Sequence, residues 1–252
     1  MNLKNRTRVI GWIVVAILSS AVSPASAQPA AGAPDSRWSV EFGIGLDNSI
    51  SGNINSSAIG TLNNQTVVIL KNRYEDVYGT GLHLRFGGGY MLNSNTEARA
   101  TFTFQSLDAD LTPMGDIGIS RLYGQYTDYQ SLGLDVGIRR YGYIAPKVRG
   151  YGEGTLGIGF VDKTDVTLVA PSANLERKAT DFYDQTAAFT LAANVGVLVQ
   201  TGERIGFFGQ IGLRWVSGMA EIDNLEGTSL DSINDNSSRW TMPFIGGIRF
   251  QF

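Results

Sequence analysis

One histidine, His83, stands in a chain of 252 residues that has no cysteine. Nucleophilic catalysis needs a nucleophile, a base beside it and a group that orients the base. The candidates here are few: His83 lies two positions before Arg85, and Ser131 and Glu153 are far along the chain, with nothing to place them within reach of the ring. The expectation is a hydrogen-bonded filler histidine, no catalytic residue and no enzyme. A much larger set is ionic: Glu41, Arg85, Glu97, Arg99, Asp135, Arg139, Arg149, Glu153, Arg214 and Arg249. Each occupies the polar parity of an alternating segment, and charges turned inward require partners. They read as an ion-pair network, with Glu41 meeting Arg249, Glu97 or Arg99 meeting Arg85, and Asp135 and Arg139 facing Arg149 and Glu153.

Other chemistries are harder to build. The absence of cysteine excludes disulfides, thiol chemistry and an acylated amino-terminal cysteine. Gly87, Gly88 and Gly89 lack the strand-to-helix setting of a phosphate loop and serve better to relieve curvature or admit neighbouring side chains. Acidic residues such as Asp108, Asp110, Asp116, Glu221, Asp223, Glu226, Asp231 and Asp235 could attract hard cations. Since no Asp-x-Asp-x-Asp-Gly loop occurs, they read as solvated charge, with no metal and no cofactor. No basic run with interleaved aromatics suggests nucleic acid.

The elements that must carry the ionic set follow a period of two, the signature of strands with one apolar face. Eight segments fit: 38–46, 78–92, 97–105, 131–141, 148–161, 187–199, 205–216 and 240–252. In 97–105, Ala98, Ala100, Phe102 and Phe104 alternate with Glu97, Arg99, Thr101, Thr103 and Gln105, so the face opposite the apolar stripe must meet water or other polar groups. Connections alternate as well. Those at 93–96, 142–147 and 200–204 are short, and those at 47–77, 106–130, 162–186 and 217–239 are long. Short turns on one side and long loops on the other is the pattern of a transmembrane barrel, and an even strand count returns both ends to the short-turn side. In lipid every backbone N–H and C=O needs an internal partner, so the sheet must close, the last strand on the first. At eight strands the interior is just wide enough for side chains to fill it.

The two ends of the chain add an address. Lys4, Arg6 and Arg8, an apolar run from Val9 to Ala21, and Ala25-Ser26-Ala27 describe a secretory signal peptide cleaved after Ala27. Its removal takes away three bases and no acid, moving the formal charge from −3 to −6. Residues 28–37, rich in Ala, Pro and Gly, read as a flexible lead-in and 38–252 as one domain. Trp38, Tyr90, Tyr141, Trp215 and Trp240 fall at strand ends, where aromatic girdles mark membrane interfaces.

The whole mature chain resembles the OmpA/OmpX-type family of eight-stranded outer-membrane β-barrels. The matching features are the Ala25-Ser26-Ala27 site, alternating Gly-rich strands such as Leu82-His83-Leu84-Arg85-Phe86-Gly87-Gly88-Gly89-Tyr90, and the terminal Ile248-Arg249-Phe250-Gln251-Phe252. The resemblance implies an all-β closed antiparallel barrel in a Gram-negative outer membrane, with four long extracellular loops and three short periplasmic turns. It further implies that Phe250 and Phe252 form part of the signal read by the barrel-assembly machinery, and that outer-membrane lipid and lipopolysaccharide are partners. The family spans structural proteins, adhesins, narrow pores and a few lipid-modifying enzymes. A monomer with a filled polar lumen and a structural or surface-interaction role is the leading expectation. A small anion-preferring or amphipathic-solute channel comes second and a lipid-modifying enzyme third.

Overall fold

The computed structural model describes residues 37–62, 64–222, 229–230, 233–234 and 236–252, with side chains for all of these except 177–181. Segments 1–27 and 28–36, and with them the expected signal peptide and most of the lead-in, lie outside the described residues.

Alternating apolar and polar side chains suit a pleated strand, and strands dominate. In chain order they are β1 (Trp38–Ser51), β2 (Asn53–Asn55), β3 (Ala58–Leu62), β4 (Gln65–Ile69), β5 (Asn72–Arg73), β6 (Gly81–Asn93), β7 (Thr96–Leu107), β8 (Thr112–Ile117), β9 (Ser120–Tyr126), β10 (Tyr129–Ala145), β11 (Val148–Val161), β12 (Thr164–Ala170), β13 (Leu175–Tyr183), β14 (Thr186–Gln200), β15 (Ile205–Val216) and β16 (Arg239–Gln251). One turn of helix, α1 (Tyr74–Val77), follows β5. Eight of the strands close an antiparallel barrel in the order β1-β16-β15-β14-β11-β10-β7-β6. These eight are the segments that alternation marks, each shifted by a few residues at most. The long ones, up to 17 residues in β10, exceed the roughly 9 to 11 that a tilted strand needs to cross a bilayer.

The closing seam is continuous from Ser39↔Gln251 through Ser49↔Thr241, with Glu41 directly opposite Arg249. Phe252 extends it: its N–H donates to the Trp38 carbonyl at 3.0 Å, and the Trp38 N–H donates to its carbonyl at 3.1 Å. Close approach demands glycine at one seam position, because a Cβ on Gly45 would run into the Phe244 carbonyl. On the opposite seam the β15–β16 ladder breaks between Ile211↔Phe244 and Arg214↔Thr241. Pro243 sits in that gap and has no N–H to give.

The barrel wall is apolar outside. Phe42, Ile44, Leu46, Leu134, Val136, Leu156, Phe160, Phe189 and Phe207 all stand exposed on it. A protein in water does not leave so broad a contiguous apolar band; lipid is its matching solvent.

The first three long connections are folded rather than irregular. Strands from the first three pair across one another into a second sheet, ordered β13-β12-β9-β8-β4-β3, and β2 pairs with β5. The sheet turns Leu62, Val67, Ile69, Met114, Leu122, Tyr126, Val166 and Leu168 inward, and all are buried. They pack with Tyr74, Tyr78, Phe182 and Tyr183, and with Leu107, Tyr129, Val161, Ala188 and Val216 from the outer ends of the barrel strands. One apolar core therefore runs from the barrel mouth into a cap above it. Tyr78 and Tyr129 belong to that core, where their rings meet edge-on at 5.9 Å.

Candidate functional site

Inward positions fill the lumen in layers. Nearest the short turns, the rings of Tyr141 and Tyr151 meet at 5.8 Å, packed with Leu198 and Phe208. Above and around them lies the ionic lattice. Glu41 of β1 accepts from Arg249 Nη1 at 2.8 Å, Arg99 Nη2 at 2.7 Å and Arg139 Nη1 at 2.5 Å. Glu97 accepts from Arg249 Nη2 at 2.8 Å, from the Ser39 hydroxyl at 2.6 Å and from the Tyr141 phenol at 2.6 Å. Glu153 of β11 pairs with Arg139 at 2.8 Å, with Arg99 Nε at 3.2 Å and with Arg85. Since β1 and β11 are four places apart in a ring of eight, Arg139, paired to both, spans the barrel. Glycine leaves the room this takes: a Cβ on Gly89 would overlap the Glu97 carboxylate.

A third layer lies toward the cap. Asp135 accepts from Arg214 Nη1 at 3.1 Å and from the Thr190 hydroxyl at 2.6 Å. His83 is buried with its Nδ1 3.7 Å from Asp47 Oδ2 and 3.4 Å from Gln105 Nε2, while Gln105 also bonds Asp47 and accepts from Ser131 at 3.1 Å. A cavity of about 20 Å³ lies here, lined by His83, Arg85, Asp135, Glu153, Asn194, Gln210 and Arg214 among others. It has room for about one water. Above it Arg239 donates Nε–H to Ser49 at 3.0 Å, and its guanidinium lies 4.3 Å from the Tyr129 ring centroid. Among the described residues the buried charges comprise six arginines (Arg85, Arg99, Arg139, Arg214, Arg239 and Arg249) and five carboxylates (Glu41, Asp47, Glu97, Asp135 and Glu153).

Nine of the ten ionic residues marked by sequence meet inside the barrel, with partners that differ in part from the expected ones. Arg85 pairs with Glu153 rather than Glu97, because the hairpin register sets it opposite Thr103. Arg149 is the exception. It lies at the short-turn rim, stacked 5.0 Å from the Tyr143 ring centroid, and makes no ion pair among the described residues. Tyr141 is not a girdle residue: it shares the inward parity of Arg139 and is buried. The other four girdle residues face outward. Trp38 lies 4.8 Å from Tyr90 at the short-turn rim, and Trp215 is in register with Trp240 at the other. The polar face of 97–105 already held Gln105; the residues that sequence reasoning left out of the lumen network are Ser39, Asp47, Thr190 and Arg239. Asp47 and Arg239 were assigned to loops, although each continues the inward parity of its strand. Of the acidic loop residues, Asp223, Glu226, Asp231 and Asp235 lie outside the described residues, and among those described no cluster could hold a metal ion.

A closed ring of eight strands, an apolar outer wall and a charged lumen decide the fold. It is that of the small outer-membrane β-barrels of the OmpA/OmpX type. No family model and no curated protein sequence matches the chain. Several solved barrels are similar in structure. Neisserial surface protein A is 11% identical, with 85% of this chain and 97% of that one covered at a TM-score of 0.45. OprG of Pseudomonas aeruginosa is 12% identical, with 86% and 96% covered at 0.43. The outer membrane protease OmpT of Escherichia coli is 9% identical, with 89% and 99% covered at 0.43.

Proposed function

We propose that this chain is an integral protein of a Gram-negative outer membrane, exported by residues 1–27 and inserted by the barrel-assembly machinery, whose barrel is a sealed anchor for a folded surface head. The role is structural or one of surface interaction, with lipopolysaccharide or environmental molecules meeting the cap. The protein acts as a monomer and without enzymatic activity. The observation that supports this best is the lumen itself, crossed by the Glu41–Arg139–Glu153 bridge and closed above by the aromatic core of the cap. A solute would have to part the buried ion pairs that cross the lumen and then open that core.

A small anion channel is the competing reading, and planar-bilayer recording separates the two. The refolded protein should give no reproducible unitary conductance. Discrete steps whose ion selectivity changes in Arg99→Glu or Arg214→Glu would overturn the sealed anchor. An enzymatic role through His83 would need substrate to reach a ring buried beside Asp47 in a cavity that admits about one water. Lipid A mass profiles should be the same with and without expression of the protein. A species that appears on expression and vanishes in His83→Ala would refute the non-enzymatic reading.

A further inference from the structure

Of the charged residues on the eight wall strands, six arginines and five carboxylates are buried in the lumen, and Arg149 stacks on Tyr143 at the short-turn rim. Arg140 is the one that remains. It stands exposed on the outward parity of β10, directly after Leu132, Leu134, Val136 and Ile138. It makes no hydrogen bond or ion pair among the described residues. A charge on the lipid face is costly at the bilayer midplane and tolerated near an interface, where it can find a polar partner.

The depth of Arg140 is that of an interface. Outward positions of β10 run from Gln130 at the cap end to Arg140. At ~3.3 Å per residue and a tilt of about 40° they cover about 25 Å along the membrane normal, the height of the apolar band of such a barrel. Gln130 thus meets one edge of the hydrocarbon and Arg140 the other. One outward position nearer the cap, Ile138 is in register with Ala98, which is in register with Tyr90 of the girdle.

Space and charge favour an anionic partner there. Register sets Gly152 and Thr96 beside Arg140. A Cβ on Gly142, Gly152 or Gly154 would touch nothing, so β11 puts no side chain between the guanidinium and the leaflet. Lys147 and Arg204 stand exposed in the turns of the same rim, against Glu203 as the exposed acidic side chain among the described residues of those turns. The anion a leaflet offers at this depth is a phosphate, and a guanidinium matches two of its oxygens.

We infer that Arg140 is a binding site for the phosphate of an anionic glycerophospholipid of the phosphatidylglycerol class in the periplasmic leaflet, its headgroup lying beside Gly152. Lys147 and Arg204 make the surrounding rim positive, which favours this lipid over a zwitterionic one. The inference rests on the membrane reading above, which puts the short turns in the periplasm. A lipid held in this way fixes the depth of the β10–β11 hairpin.

The test uses the mature protein refolded in nonionic detergent, with native mass spectrometry counting bound lipid as phosphatidylglycerol or phosphatidylcholine of the same acyl chains is added. Wild type should bind phosphatidylglycerol about fivefold more tightly, the worth of one basic residue near a membrane surface. Arg140→Leu, which extends the apolar stripe, should remove the preference, and Arg140→Lys should keep part of it. Should Arg140→Leu fail to fold, Gly152→Leu crowds the same place without altering a charge and should weaken phosphatidylglycerol binding. Equal affinity of wild type for the two lipids, or a preference that survives Arg140→Leu, would overturn the site. Lipid A displacing phosphatidylglycerol would give Arg140 to the lipid of the other leaflet and overturn it as well. Insertion into vesicles is scored apart: its failure overturns the membrane reading and this site together, whereas inserted protein without lipid preference overturns the site alone.

Discussion

At the scale of single residues, the lumen is held by shared rather than paired charges. Glu41 carries three arginines from three strands. Removing one partner of a buried pair leaves the others uncompensated, at a cost of about 3–5 kcal/mol. Glu41→Ala should therefore lower the urea midpoint of the refolded barrel far more than a single hydrogen bond would. The decisive comparison is Glu41→Gln combined with Arg249→Gln: removing one charge of each sign should recover much of the loss. If the double variant is merely the sum of the singles, coupling within the lattice is absent. The sequence made most of these residues legible through parity alone. Pairs across adjacent strands, Glu41–Arg249 and Arg139–Glu153, were legible as well; Arg85–Glu153 and Arg139–Glu41 were not, because they join strands that are not neighbours and obey no local rule.

At the scale of elements, β16 does two jobs. It carries Arg249 into the lattice and closes the sheet against β1 as far as the Phe252–Trp38 pair of hydrogen bonds. Deleting Phe252 removes both bonds together with the outward ring expected to be part of the assembly signal. Membrane-inserted, heat-modifiable protein should fall severalfold in cells, while refolding of the same truncation into detergent should suffer less. Undiminished insertion would separate the end of this strand from assembly. All eight wall strands were readable because each is long and alternates between lipid and lumen. Those of the cap were not. At five to seven residues, β3, β4 and β12 are too short to register as membrane strands. Their decisive pairings, β4 with β8 and β9 with β12, join different connections and leave no trace in local sequence.

At the scale of the whole molecule, barrel and cap share a core but differ in what can unfold them. The cap core is rich in tyrosine: Tyr126 donates to Asn55 Oδ1 at 3.0 Å and its ring lies 6.0 Å from Phe182, and Tyr74, Tyr78 and Tyr183 are buried nearby. Burial pushes the phenols of Tyr74, Tyr78, Tyr126 and Tyr183 above their ordinary value. These groups keep their protons in the folded cap, whereas in an unfolded cap they would ionise near pH 10. Their contribution is thus complete below about pH 10 and is lost as pH rises toward their folded values. The wall strands, whose backbone is satisfied within a lipid-bound ring, should outlast the cap. Raising the pH past about 10 should expose the segments between β1 and β6 and between β7 and β10 to protease while the barrel keeps its heat-modifiable mobility. Tyr126→Ala, which should cost about 3–5 kcal/mol as a large buried ring is lost, should move that opening to neutral pH. Cleavage of the wild-type cap at neutral pH would instead make the second sheet a loose set of loops, and the sealed outer mouth would go with it.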